Sequence, residues 1–248
     1  MSFNIPVISH PFKGIGRTIE SKVRKALKEF SMLESANSLA VALSGGKDSL
    51  CLLFMLKAVI GKGFKNIDFY AIHIDGDFSC GASYDKNYLN ELCKQYDIKF
   101  ISKELKNNSE KLDCYSCSRN RRKLIFDTAR ENNISTIAFG HHQDDNVQTL
   151  LLNLFHKAEF EGMMPKIKFK RFGVSIIRPL IYVNEHEIIE FAKQNDILKV
   201  FCKCPIGQNS KRKTVKKIIE DIKLDFPNVK SNLSKASFVY GSKKALCE

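Results

Sequence analysis

No apolar run in this 248-residue chain is long enough to cross a bilayer. Its first residues, Met1-Ser2-Phe3-Asn4-Ile5-Pro6, lack the basic start and long apolar stretch of a secretory signal. Together these absences set the expectation of a cytoplasmic protein with no membrane partner. No internal repeat or low-complexity linker divides the chain. Acidic residues are in the minority, 27 against 40 basic, for a formal net charge of +13. Such an excess attracts polyanions, nucleic acid among them, although solvated lysine-rich faces give the same count. The eight cysteines, at positions 51, 80, 93, 114, 117, 202, 204 and 247, do not form a disulfide framework in a cytosolic chain of this length. Core thiols and metal ligands are the roles left to them.

What is present is enough apolar residue, 44%, for one sizeable α/β core. Helical spacing of Ile19, Val23, Leu27 and Phe30 predicts an N-terminal helix over 17–36. Short apolar runs predict strands at 38–43, 69–75, 98–102, 134–139 and 174–177. Between them, helices are expected at 48–61, 84–96, 118–132, 143–156 and 184–195. The stripe Val147, Leu150, Leu151, Leu154, Phe155 marks the helix at 143–156 most clearly. Strands alternating with helices imply an α/β, Rossmann-like fold, a parallel sheet with helices on both faces. The expected organisation is an N-terminal helical segment (1–36), a catalytic domain (37–205) and a basic, partly helical tail (206–248). Ligands of such sheets bind beyond the carboxyl ends of the strands, at a switch in strand order.

One loop stands at such an end. Ser44-Gly45-Gly46-Lys47-Asp48-Ser49 follows a strand and opens a helix. Paired glycines allow a sharp turn and a close approach to an anion. The helix start offers unpaired N–H groups and partial positive charge. Lys47 adds a full charge, and Ser44 and Ser49 add hydroxyls. It is not a Walker A loop: Val41 stands where that motif needs glycine, and Asp48 where it needs Ser or Thr. An ordinary tight strand-to-helix turn is the bland alternative. Six residues of this chemistry favour a pyrophosphate cradle. They resemble the signature of the PP-loop ATP pyrophosphatases, which split ATP to AMP and pyrophosphate and adenylate a carbonyl oxygen.

The second constellation is thiol-based. Cys114-Tyr115-Ser116-Cys117 has metal-ligand spacing and is followed by Arg119, Arg121, Arg122 and Lys123; Cys202-Lys203-Cys204-Pro205 lies far along. Spacing leaves three readings open: a four-cysteine structural zinc site, a three-cysteine iron–sulfur cluster with one open iron, or persulfide-carrying thiols. The order of motifs narrows the family. After Cys-x-x-Cys and its arginines come Gly140-His141-His142-Gln143-Asp144-Asp145 with Thr149, then Gly162-Met163-Met164-Pro165 and Ile177-Arg178-Pro179-Leu180. Over roughly 17–220 the sequence is similar to the tRNA-2-thiocytidine synthetase family, which thiolates a cytidine in the tRNA anticodon loop.

That resemblance implies ATP, Mg²⁺ and a 4Fe-4S cluster as cofactors. Metal ligands carry over to Cys114 and Cys117, with Cys204 third and Cys202 its alternative. Nucleotide binding falls to residues 44–49, His73, Gly140, His141 and Asp145. In the reaction, Asp145 takes a metal or catalytic role, Lys47 the phosphates, Arg121 the α-phosphate, and Cys114 and Cys204 the sulfur side. Implied partners are the tRNA anticodon loop and a sulfur donor such as a cysteine desulfurase or free sulfide. Related thiolases are dimers, so a homodimer is the implied assembly, although periodicity reveals no interface. Lys166, Lys168, Lys170, Arg171, Lys211, Arg212, Lys213, Lys216 and Lys217 are candidates for the RNA backbone, against the alternative of a solvated face.

Bland roles stand beside these. His73 and His141 are also readable as core histidines, and Asp144 as a cap of its own helix. Two departures from the family pattern are a short tail and the segment Asp75-Gly76-Asp77-Phe78-Ser79-Cys80. Other specificities, thiouridine or lysidine synthesis among them, and a nucleotide- and RNA-binding module with structural zinc are the competing functions.

Overall fold

The computed structural model describes residues 5–76, 86–105, 114–197 and 211–241. The strands are β1 (Ser38–Ala42), β2 (Asp68–Asp75), β3 (Lys99–Glu104), β4 (Thr136–Ala138), β5 (Lys166–Phe169) and β6 (Val174–Ile177). The helices are α1 (Gly14–Glu29), α2 (Lys47–Val59), α3 (Lys86–Gln95), α4 (Cys114–Glu131), α5 (Gln143–Lys157), α6 (Glu185–Gln194), α7 (Lys211–Asp225) and α8 (Val229–Tyr240). One six-stranded sheet runs β3-β2-β1-β4-β6-β5. The first five in that order are parallel, and β5 pairs antiparallel with β6.

The pleat sorts the core. Leu39 and Val41 of β1 face one layer, with Ile19, Val23 and Leu27 of α1, the buried length of α2 and Ile188 and Phe191 of α6. Ala40 faces the other, where Phe126 and Ala129 of α4 meet Ile72, Ile137 and Ile176. Alternate residues pointing to opposite faces is the strand's period of two. Helix α2, Lys-Asp-Ser-Leu-Cys-Leu-Leu-Phe-Met-Leu-Lys-Ala-Val, is apolar nearly all round and accordingly central. A smaller cluster, Val147 and Leu151 with Val215 and Ile219, fastens α7 to α5.

Three sequence expectations change. The N-terminal helix ends at Glu29 rather than 36. Ser31 takes a left-handed conformation (φ 46°), Met32 N–H reaches back to Leu27 O, and Ser31 N–H to Lys28 O. This is a Schellman stop, and it turns Met32, Leu33 and Ala36 into the core. The thiol-bearing helix starts at Cys114, four residues before the expected 118. The sheet gains an unexpected antiparallel edge, β5, from the lysine-rich stretch Lys-Ile-Lys-Phe.

Chain order gives the fold its cleft. From β1 the chain moves outward to β2 and β3, then returns to lay β4 on the other side of β1. The loops leaving β1 and β4 therefore diverge at the switch point and leave a crevice between them.

Candidate functional site

A cleft of about 360 Å³ opens over the carboxyl ends of β1, β2 and β4. Its walls include Ser44, Asp48, Ser49, His73, Asp75, Arg121, Gly140, His141 and Asp145. The fold thus brings together residues from both expected nucleotide motifs and the arginine after the Cys-x-x-Cys. Gly45, Gly46 and Lys47 lie in the loop beside the cleft.

The loop is held from both sides. Leu43 N–H donates to Ile72 O at 2.8 Å, and His73 Nδ1 lies 2.8 Å from Leu43 O. A carbonyl can only accept, so Nδ1 carries the proton. Burial pushes His73 below the usual histidine range, against the opposing pull of that bond. His73 is therefore a neutral strut that fixes where the loop departs from β1, as well as a cleft residue. Gly45 has φ 83°, a left-handed turn that favours glycine. Ser49 Oγ donates to Gly46 O at 2.9 Å and lies 3.1 Å from Ser44 Oγ, closing the turn. A side chain at 46 would meet nothing nearer than Ser44 Oγ at 3.5 Å, so the concavity is not filled by protein.

Gly140 does something the sequence reading did not assign. A Cβ there would lie 3.0 Å from the Asp48 carbonyl carbon, 3.1 Å from its oxygen and 3.1 Å from Ser49 N. The bare backbone lets the second motif press directly on the first turn of α2. Close approach of the nucleotide, the role expected for Gly140, is thus preceded by close approach of the two motifs to each other.

The charged groups are interlocked. Lys47 Nζ lies 3.0 Å from Asp48 Oδ1 and 3.3 Å from Glu185 Oε1. Burial works to lower its pKa, but Asp48 and Glu185 outweigh that and raise it. His142, buried at the start of α5, has Nε2 3.4 Å from Asp145 Oδ2 and 3.8 Å from Asp48 Oδ1. Carboxylates from both motifs therefore converge on one ring edge. Asp145 also accepts the His142 backbone N–H at 3.1 Å, and Arg212 Nη1 approaches it at 3.8 Å. The helix cap expected of Asp144 thus belongs to Asp145. Asp144 instead accepts the N–H of Glu185, first residue of α6, at 2.7 Å, and Lys230 Nζ at 2.8 Å. Burial would raise its pKa; those two bonds and the Lys230 charge bring it below the usual carboxylate range.

His141 stacks on Phe139, centroids 5.6 Å apart and planes 12° from parallel. Burial, then the charge of Arg178, pushes its pKa down to about 3, so it is neutral near pH 7. Behind the cleft, Asn146 is fully buried: its Nδ2 donates to Ser234 and Ser237 Oγ, both at 2.9 Å, and its Oδ1 accepts from Met163 N–H at 2.6 Å. A Cβ on Gly162 would come within 2.3 Å of that Oδ1. The Gly-Met-Met-Pro stretch is thereby packed against α5 and α8.

Cys114 and Cys117 lie in the first turn of α4, and Arg121 on the cleft wall is four residues after Cys117, about 6 Å along the axis. Cys202 and Cys204 lie outside the described residues. Among the described residues no three His, Cys, Asp or Glu side chains form a metal cluster. Cys51 and Cys93 are core thiols; burial pushes the Cys51 thiol up and that of Cys93 up to about 12. No helix among the described residues is long and apolar enough to cross a membrane. The residues that sequence reasoning missed are His142, Glu185 and Lys230. Glu185 and Lys230 reach the site only through tertiary contact, and no local pattern marks them.

Residues 16–202 match the PP-loop domain family. The chain is 32% identical over 231 residues to the tRNA-cytidine(32) 2-sulfurtransferase of Geobacter metallireducens, covering 89% of this chain and 88% of that protein. It is 33% identical over 222 residues to a tRNA-cytidine(32) 2-sulfurtransferase of Francisella tularensis, covering 85% and 86%. Among solved structures, the U34-tRNA thiolase of Methanococcus maripaludis, determined with its 4Fe-4S cluster, matches with a TM-score of 0.71 and 24% identity, over 90% of this chain and 78% of its own. At that identity the likeness speaks to the fold.

Proposed function

Because the chain belongs to the PP-loop family and, within it, to the tRNA-cytidine(32) 2-sulfurtransferases, we propose that it spends ATP to activate a cytidine of the tRNA anticodon loop and replaces its C2 oxygen with sulfur. The observation that best supports this is the meeting of the two nucleotide motifs at the switch point, with Gly140 pressed against Asp48 and Ser49 over a cleft of nucleotide size.

In this reading the triphosphate lies over residues 44–49. The N–H groups at the start of α2 and the hydroxyls of Ser44 and Ser49 hold the β- and γ-phosphates. Lys47 exchanges Glu185 and Asp48 for phosphate oxygens. Asp48 and Asp145, both near His142 Nε2, would hold Mg²⁺, which prefers carboxylate and phosphate oxygens. His73 and Gly140 border the nucleotide. The cytosine O2 attacks the α-phosphorus, and pyrophosphate leaves. Arg121 steadies the α-phosphate, since a guanidinium can bind two of its oxygens. Sulfide then attacks C2, and AMP leaves carrying the former O2. Adenylation is needed because a carbonyl oxygen is a poor leaving group and AMP a good one.

Cys114, Cys117 and Cys204 would hold a 4Fe-4S cluster, which would supply the sulfide, taken up as free sulfide or from the persulfide of a cysteine desulfurase together with a two-electron reductant. The position of the first two, about two turns and one turn before Arg121, fits that assignment. The catalytic unit is 37–205, on which α1 of the N-terminal segment 1–36 packs. The tail, 206–248, provides a basic face for RNA through Lys211, Arg212, Lys213, Lys216 and Lys217, with Arg119, Arg122 and Lys123 across α4. The protein works in the cytoplasm as a homodimer.

Metal and sulfide analysis after anaerobic purification, paired with Cys114→Ala, tests the sulfur half. Iron with acid-labile sulfide, and loss of thiolation with AMP formation retained in the variant, is the expected result. Zinc without iron would sink the cluster assignment.

A further inference from the structure

Two stretches, Gly162–Pro165 and Ile177–Leu180, have no part in the chemistry above, yet one side chain links them both to the cleft. Arg178 N–H donates to Pro165 O at 2.9 Å, and its Nη1 donates to Met164 O. Its Nε lies 3.3 Å from Nδ1 of His141. A guanidinium has only donors, so Nδ1 of His141 must be the acceptor. The proton of the neutral ring then sits on Nε2. Nε2 makes no hydrogen bond to any described residue, and His141 lines the cleft. The ring plane is fixed by its stack on Phe139.

We propose that Arg178 is a positioning residue: it locks His141 as the Nε2–H tautomer, so that the cleft presents a neutral hydrogen-bond donor to a phosphate oxygen of the bound nucleotide. The proposal rests on the nucleotide-binding reading of the cleft only for what the donor meets. The tautomer itself follows from Arg178 and stands without ligand. It also excludes His141 as a general base, because the nitrogen that could accept a proton already faces a cation. Around the ring, Arg122 and Arg212 act in the same sense as Arg178, and Asp145 opposes them.

The first test is nitrogen-15 NMR of histidine-labelled full-length protein at neutral pH, His141 being assigned by its loss in His141→Phe. The expected pattern is protonated Nε2 and unprotonated Nδ1. A protonated Nδ1, or a mixture of tautomers, overturns the proposal, whatever the protein binds. The second test is the affinity of a non-hydrolysable ATP analogue in His141→Phe, His141→Asn, Arg178→Met and the Phe/Met double variant. His141→Phe is expected to bind about tenfold or more weakly, the scale of a hydrogen bond to a charged group, and His141→Asn, which keeps a donor, to recover part of that loss. If Arg178 acts through His141, the double variant is no weaker than His141→Phe alone. Additive losses mean that Arg178 is merely structural. If Arg178→Met does not fold, the tautomer and the comparison of Phe with Asn at 141 still decide. A correct tautomer with unchanged affinity in His141→Phe removes the phosphate contact and counts against the nucleotide reading of this wall.

Discussion

Replacing Gly140 by alanine adds one methyl group where the two nucleotide motifs touch. The new Cβ would sit 3.0 Å from the Asp48 carbonyl carbon and 3.1 Å from both its oxygen and Ser49 N. Ordinary carbon contacts lie at about 3.5–4.0 Å, so about 0.5 Å of relief is needed. All three neighbours are backbone, at the first turn of the buried helix α2, and cannot swing aside as a side-chain tip can. Overpacking of this kind costs about 1–3 kcal/mol. For a chain of this size that is a fall in melting temperature of about 2–12 °C. The displacement falls on residues 44–49, proposed above to hold the phosphates, so nucleotide binding should suffer more than stability does. A misplacement of this order can cost up to about a hundredfold in function. Gly173→Ala is the control. Gly173 has φ 66° and open space around its missing side chain, at the opposite end of the sheet. Strain there costs about 1 kcal/mol without touching the cleft. Calorimetric titration with a non-hydrolysable ATP analogue, beside thermal melts, reads both effects. Wild-type affinity in Gly140→Ala, or equal weakening in Gly173→Ala, would refute the reasoning.

Other outcomes follow from the same geometry. Asn146→Ala leaves Ser234, Ser237 and Met163 N–H without their partner; a loss of about 2 kcal/mol is expected, and limited proteolysis should release α8 sooner than in the wild type. Asp144 is held below the usual carboxylate range, so its stabilising contribution is present above an unfolded value near 3.9 and is lost as pH falls through the lower folded value. Asp144→Asn should therefore melt lower than wild type at pH 7, with the gap closing as pH falls below that unfolded value and through the lower folded one; a gap that does not change with pH would show that the charge is not what matters. Arg212→Ala and Lys216→Ala should each weaken tRNA binding and lower the slope of log affinity against log salt by about one, and unchanged slopes would take α7 out of the RNA face. Cys51 and Cys93, buried with raised thiol pKa values, should not react with an aqueous thiol reagent until the protein unfolds.

The sequence was most readable where pattern is local. Five strands and the helices between them were visible as apolar runs and stripes, because burial on a sheet or against a helix imposes periods of two and 3.6. Edge strand β5 was hidden because only Ile167 of its four residues is buried. Its lysines, the usual dress of an exposed edge, are equally candidates for the RNA backbone, and nothing in their pattern separates the two roles. Lys166 donates to Ser31 O, across the chain. At the site, the loop at 44–49 announced itself through glycines and a lysine in fixed order. What holds that lysine did not: Glu185 comes from α6, and nothing near either residue marks the pair. The same holds for Arg178 and His141. The meaning of Gly140 was also out of reach, since a glycine needed for packing against a distant turn looks the same in sequence as one needed for a ligand.

The most direct measurement is mass spectrometry of tRNA nucleosides from cells with and without this protein. Loss of 2-thiocytidine in its absence, restored by the wild-type chain and not by Cys114→Ala, is the expected result. Unchanged 2-thiocytidine in its absence would contradict the proposed reaction.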